Sequence, residues 1–244
     1  MTLLFDIGNS RIKWQVSGHF CESPNGFSYN SEEFVAQLDR YLQLCDMPDQ
    51  DVVIVSVASE EINRQIESWI TDRWHVRVRF LRSESKWKML SNGYASATAL
   101  GADRWYALIG AVSRYSSPLL VCDIGSAVTI DIVDQSGVHL GGYITPGLEM
   151  MIRSLSSDTN IDIQSTRLGR EVGSIPNNTY SAIVEGCLWS IASHIDSINE
   201  RLELKSTIVL TGGDAEIISP MLNCGAIIDK NLIFHGIERV IETP

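Results

Sequence analysis

The chain is short of positive charge. Nineteen Lys and Arg stand against 30 Asp and Glu among 244 residues, a net charge of −11. Non-specific nucleic-acid binding needs a basic stripe that neutralises phosphates and releases their counterions, and no such stripe occurs. An acidic surface suits a cytoplasmic protein; the charge of any anionic ligand would have to be met locally. Cysteine is sparse as well. Cys21, Cys45, Cys122, Cys187 and Cys224 are odd in number, widely spaced and free of any CxxC pair. That speaks against a disulfide scaffold or a zinc site and for small buried hydrophobes in a reducing compartment. The five histidines form no HExxH-like pair. No apolar run approaches the roughly 20 residues of a membrane span. At the N-terminus Asp6 interrupts the first apolar run and no basic region precedes it, so a signal peptide is not expected.

What is present is ordinary globular material, 44% hydrophobic and 20% charged. The length suffices for one large domain or two of ordinary size, with a core that needs no covalent staple. Thr2 to Phe5 is a short apolar run closed by Asp6-Ile7-Gly8-Asn9-Ser10, after which Ile12, Trp14 and Val16 alternate with polar residues. This predicts a hairpin. Helical spacing over 31–44, behind Asn30 and Ser31 as capping candidates, precedes a strand at Val52–Val57 and a helix at 60–71. An alternating strand is expected from His75 to Phe80, then a helix over 103–115. Leu119 to Cys122 is a second apolar run, closed by Asp123-Ile124-Gly125-Ser126-Ala127, with a second hairpin turned at Asp134 to Gly137. A long helix is predicted near 178–203 and a strand at Thr207–Leu210, running into Thr211-Gly212-Gly213-Asp214.

The two Asp-Ile-Gly turns open two similar halves, 1–117 and 118–244. The repetition points to an internal duplication. Mixed strands and crossover helices make the fold class α/β, with a ligand expected at the interface of the halves.

Each motif has a chemical reading and a plainer one. In Asp6 to Lys13 the glycine lets the backbone approach a phosphate, Asn9 and Ser10 supply donors, Lys13 a point charge, and Asp6 a carboxylate for Mg²⁺. Alone, it is more often an ordinary tight hairpin. Asp123 to Thr129 follows the same logic, and the matched pair says more than either copy. Thr211-Gly212-Gly213-Asp214 reads equally as a passage close to a flat ligand such as adenosine or as a β–α turn. Asp103 is either a helix cap or the carboxylate that positions an acceptor hydroxyl, with Arg104 beside it for the acceptor's anion. Gly141 to Gly147 is a shaped loop with either a binding or a structural role.

As an ordered set, Asp6-x-Gly8-Asn9-Ser10-x-x-Lys13, Gly101-Ala102-Asp103-Arg104-Trp105, Asp123-x-Gly125-Ser126-Ala127-x-Thr129, Gly141-Gly142-x-Ile144-x-Pro146-Gly147 and Thr211-Gly212-Gly213-Asp214 resemble type III pantothenate kinase. The resemblance spans nearly the whole chain. It implies two duplicated ribonuclease H-like domains in an actin-like ATPase fold, and ATP-dependent phosphorylation of pantothenate, the first step of coenzyme A synthesis. By position it implies an ATP site of Asp6, Ile7, Gly8, Asn9, Ser10, Arg11, Ile12, Lys13, Ser126, Gly212 and Gly213. It implies Asp103 as catalytic base, and Tyr94, Gly101, Ala102, Asp103, Arg104 and Thr179 as the pantothenate site, Thr179 reaching in from a neighbouring subunit of a homodimer. Mg²⁺ is implied near Asp6 and K⁺ or NH₄⁺ at Asp123; neither nucleic acid nor membrane is an expected partner. Two features depart from the family pattern: Ser126 replaces the usual Thr with its hydroxyl retained, and the usual proline is missing between Ala95 and Leu100. Competing readings are another kinase or phosphatase of the superfamily, and a nucleotide-binding regulatory protein.

Overall fold

The structure, a computed structural model, describes residues 1–29, 32–42, 48, 50–157, 175–201 and 206–242. The first part of the chain runs β1 (Leu3–Ile7), β2 (Arg11–Val16), β3 (Asn25–Ser28), α1 (Phe34–Leu42), β4 (Val52–Ser56), α2 (Glu60–Trp74) and β5 (Val78–Leu81). These strands form one sheet in the order β3-β2-β1-β4-β5. β1 is antiparallel to β2 and parallel to β4. A small hairpin, β6 (Lys86–Trp87) and β7 (Leu90–Ser91), then leads to α3 (Ala102–Arg114).

The rest of the chain repeats the scheme. It runs β8 (Leu119–Ile124), β9 (Ala127–Val133), β10 (His139–Pro146), α4 (Leu148–Ser157), α5 (Thr179–Arg201), β11 (Thr207–Thr211), α6 (Ala215–Ile218), β12 (Ala226–Ile228) and α7 (Leu232–Ile241). The sheet order is β10-β9-β8-β11-β12, with β8 antiparallel to β9 and parallel to β11. Strand for strand this is the first sheet again, as the duplicated α/β reading expects.

Side-chain alternation explains why β1, β4, β8 and β11 read as unbroken apolar runs. Successive residues of a strand point to opposite faces, and here both faces are covered. Leu3, Phe5 and Ile7 pack with Val52 and Ile54 under α1 and α2. Leu120, Cys122 and Ile124 pack under α5 and α6. The intervening residues, Leu4, Val53, Val55, Leu119, Val121 and Val209, meet in one central layer with α3 and α7. Trp105 and Tyr106 of α3 are fully buried there. Burying one such large side chain contributes about 1.5–3 kcal/mol, so α3 is anchored firmly where its first turn enters the site.

Some boundaries differ from the sequence expectation. The strand expected from His75 begins at Val78, because His75 adopts a left-handed conformation, φ 55°, and ends α2. α2 itself continues to Trp74, whose ring is buried against Trp69. The capping candidates Asn30 and Ser31, residues 43 and 44 of the first expected helix, and Leu202 of the long one lie outside the described residues. Among the described residues, no helix is long and apolar enough to cross a membrane.

Candidate active site

Both Asp-Ile-Gly turns sit at the same place in their sheets. Asp6 is the fourth residue of β1 and Asp123 the fifth of β8, each one step from the strand's end. In the first turn Gly8 N–H donates to Arg11 C=O, and Tyr29 O–H donates to Gly8 C=O at 2.7 Å. Asn9, Ser10 and Arg11 are exposed at the tip. Ile7 and Ile12 are not: both side chains are fully buried and pair across the hairpin. Their part in any ATP site is confined to the main chain.

Lys13 faces Asp6 across the ladder, and its Nζ lies 3.4 Å from Asp6 Oδ2. Burial would depress the Lys13 pKa, but Asp6 and then Asp123 outweigh it and hold it above the usual lysine value. Asp123 is raised by burial, is pulled down by Lys13 and is raised again by Asp6. Asp6 and Asp123 are thus both near enough to act on Lys13, and Asp6 and Lys13 on Asp123.

Asp103 occupies the first turn of α3, where a carboxylate is favoured by the helix N-terminus. The N-cap is Gly101, so Asp103 is not itself the cap. Its carboxylate accepts from the N–H of Arg104 at 2.7 Å. A Cβ on Gly101 would stand 2.5 Å from that carboxylate, so a larger residue there would push the Asp103 side chain out of this position. Burial and then Asp6 push Asp103 up to about 7; the Arg104 N–H pulls it down, and Asp123 adds to the rise. A carboxyl that titrates near neutrality is matched to general-base work.

Arg104 and Tyr94 form the neighbouring wall. Arg104 Nη1 donates to the Tyr94 hydroxyl at 2.9 Å. The bidentate edge of Arg104, read from sequence as a holder of the acceptor's anion, is taken by the buried Asp131. Tyr94 is held by its own loop: its N–H bonds Asn92 Oδ1, while Asn92 Nδ2 bonds the carbonyls of Glu84 and Ala97. Ala102, one residue ahead of Asp103, is buried.

On the other side, Thr211 pairs with Asp123, and Gly212 follows at φ +91°. A Cβ on Gly212 would lie 2.5 Å from Asp123 Oδ1, so the turn closes over the aspartate only because the residue is glycine. Gly213 is exposed, as is Ser126 at the tip of the second turn. Thr179, at the start of α5, is exposed too; Asn178 caps that helix by accepting the N–H of Ser181. No contact joins Thr179 to the other site residues among the described contacts. Two surface cavities, of about 460 and 450 Å³, lie elsewhere, one between α1 and α2 and the other around Trp87 and Arg239.

Comparison with known proteins decides the family. The model of the type III pantothenate kinases matches residues 2–201. The chain belongs to the type III pantothenate kinase family. A type III pantothenate kinase of Marinobacter nauticus is 34% identical over 98% of this chain and 98% of its own length. A solved structure from Campylobacter jejuni, provisionally described as a conserved Baf family transcriptional activator, superposes with a TM-score of 0.60. It is 24% identical and covers 98% of this chain and 97% of its own. The activator of the 2-hydroxyisocaproyl-CoA dehydratase from Clostridium difficile, solved with ADPNP bound, gives a TM-score of 0.51 at 14% identity, covering 97% of this chain and 91% of its own. The family's fold is therefore the actin-like one, two ribonuclease H-like units with repeated topology.

Proposed function

We propose that the aspartate cleft carries out the family's reaction as follows. The chain is a kinase that phosphorylates pantothenate with ATP, the opening step of coenzyme A synthesis. Asp103 takes the proton of the primary hydroxyl, whose oxygen attacks the γ-phosphorus in line. The bond from that phosphorus to the β–γ bridging oxygen breaks, and ADP leaves with the electron pair. Such catalysis is mostly positioning and electrostatics. The single observation that carries the assignment is Asp103, raised to about 7 beside Asp6 and Asp123.

The first turn, Asp6 to Lys13, and the second, around Ser126, hold the phosphates from two sides; Gly212 and Gly213 face the nucleoside. Tyr94 and Arg104, with Gly101 and Ala102 shaping the helix start, bind pantothenate. The donor set fits added cations: Asp6, Asp103 and Asp123 are three carboxylates with Lys13 as the lysine among them, and after burial it is Asp6, then Asp123, that raises Asp103. Among the described residues no three carboxylate, histidine or cysteine side chains converge on one ion; Mg²⁺ commonly takes most of its ligands from waters and substrate phosphates. Asp6 would hold Mg²⁺ and Asp123 a K⁺ or NH₄⁺; when bound, these supply positive charge against the phosphate oxygens.

A homodimer belongs to this reading. β10 is an edge strand whose Tyr143, half exposed, touches His194 of α5 edge-on; Leu140 and Ile144 of β10 and Trp189 of α5 are exposed as well. Exposed apolar side chains on an edge strand and the helix beside it suit an interaction surface, and Thr179 begins the same helix, available to a neighbour's pocket. The halves divide at 117/118 in this reading, and the enzyme works in the cytoplasm.

The test is a phosphorylation assay with pantothenate and ATP. Turnover is expected in K⁺ or NH₄⁺ and should collapse in Na⁺. Equal rates in the two buffers would remove the cation from Asp123, and no phosphate transfer in any buffer would remove the assignment of this cleft.

A further inference from the structure

Asp131 lies in the middle of β9 and His139 at the start of β10, 2% and 0% exposed. The phosphate side of the cleft uses neither. A buried carboxylate is retained only with partners, and those of Asp131 all lead to the acceptor wall. Its Oδ2 accepts from Arg104 Nε at 2.8 Å and its Oδ1 from Arg104 Nη2 at 2.6 Å. The same Oδ1 meets His139 Nε2 at 2.8 Å, which assigns the proton to Nε2. The His139 ring stacks on Tyr94, centroids 5.8 Å apart and 15° from parallel, and the Arg104 guanidinium lies 5.5 Å from the centre of the Tyr94 ring.

The backbone is shaped to admit this pairing. A Cβ on Gly142 would fall 2.7 Å from Asp131 Oδ1 and 2.9 Å from Arg104 Nη2. The nearest group to that Cβ would be the Ile130 carbonyl, so glycine at 142 lets β10 lie close against β9 and leaves room for the ion pair beside it. A buried ion pair is a poor device for stability, since well-packed apolar residues do as well. Its strength is direction: two parallel bonds fix a guanidinium in one plane.

We propose that Asp131, locked by His139, is a positioning residue for the phosphoryl acceptor. It holds Arg104 in the one orientation that turns Nη1 to Tyr94, and so sets the wall against which pantothenate is aligned toward Asp103. The proposal rests on the reading of Tyr94 and Arg104 as the acceptor-binding pair.

The experiment is a double-mutant cycle of Arg104→Lys and Asp131→Asn, read as KM and kcat for pantothenate and for ATP. Each single variant should lose about ten- to a hundredfold in kcat/KM for pantothenate, as expected when an acceptor is misplaced by a fraction of an ångström to an ångström. KM for ATP should stay at the wild-type value. The double variant should be no worse than Arg104→Lys alone, because Asp131 acts through Arg104. Multiplying losses, or a rise in KM for ATP as large as that for pantothenate, would show a general structural role and overturn the proposal. If Asp131→Asn does not fold, His139→Phe keeps the ring on Tyr94 and removes the bond to Asp131. It should raise KM for pantothenate in the same direction, and an unchanged value sinks the idea. If Arg104→Lys leaves KM for pantothenate unchanged, the acceptor reading fails and the proposal with it. If Arg104→Lys raises it and Asp131→Asn does not, only the proposal fails.

Discussion

The two Asp-Ile-Gly turns share a strand, a register and a hairpin, yet the residue facing each aspartate differs. Opposite Asp6 stands Lys13; opposite Asp123 stands Thr129. Directly opposed residues of an antiparallel pair lie on one face, so the first carboxylate has a built-in cation and the second a hydroxyl. The parallel neighbours differ too. Asp6 pairs with Val55 and Asp123 with Thr211. After β4 the chain returns at once, Val57 N–H bonding Ile7 C=O, whereas after β11 an additional residue is accommodated before Asp214 N–H bonds Ile124 C=O. The two loops repeat one scheme, and the facing positions give the first a lysine and the second a hydroxyl; in the proposed reading the first is a lysine-bearing phosphate loop and the second a carboxylate that takes a cation from solution. Lys13 serves both, since Asp123 also holds up its pKa.

The comparison can be broken most severely at Lys13. Lys13→Met removes a cation shared by both aspartates, and kcat/KM for ATP should fall about a hundredfold, the scale of losing one donor aimed at developing charge. Steady-state kinetics at saturating pantothenate checks it; a loss of only a fewfold would mean that the turns are held neutral by something else. A smaller effect sharpens the comparison. Thr129→Lys gives Asp123 the partner that Asp6 has, and the ratio of turnover in K⁺ to turnover in Na⁺ should move toward one. A ratio unchanged from wild type in a folded, active variant would mean that the cation does not act at Asp123.

Much of this architecture was legible in the sequence, for physical reasons that also explain what was missed. The halves announced themselves because a buried central strand closed by Asp-Ile-Gly is a conspicuous local pattern, written twice. α4 and α7 were not anticipated. α7 is only ten residues long and opens on the apolar run Leu232-Ile233-Phe234, which by itself reads as a strand as readily as a helix. Asp131 escaped notice because Val128, Ile130 and Ile132 read as the inward face of a half-buried strand, leaving Asp131 on the expected wet face. The Arg104 network covers that face, and no local spacing encodes it. For the same reason Arg104 could be recognised beside Asp103 while its partner, 27 residues on, could not. The signal available was a lone carboxylate between isoleucines, with a histidine eight residues later across a hairpin.

Asp103 faces both turns, and the pH dependence of kcat/KM for pantothenate, in wild type and in Asp103→Asn, tests its role most directly. This parameter reports the free enzyme, in which Asp103 titrates near 7. Below that pH the carboxyl carries a proton and cannot take one from the acceptor. Wild-type kcat/KM should therefore fall about tenfold per pH unit below pH 7. In Asp103→Asn the plateau should be lower by about 10²–10⁴ with pantothenate still bound, and the acidic limb near 7 should be gone. An Asp103→Asn enzyme that keeps near-wild-type turnover, or the same acidic limb, would contradict the account.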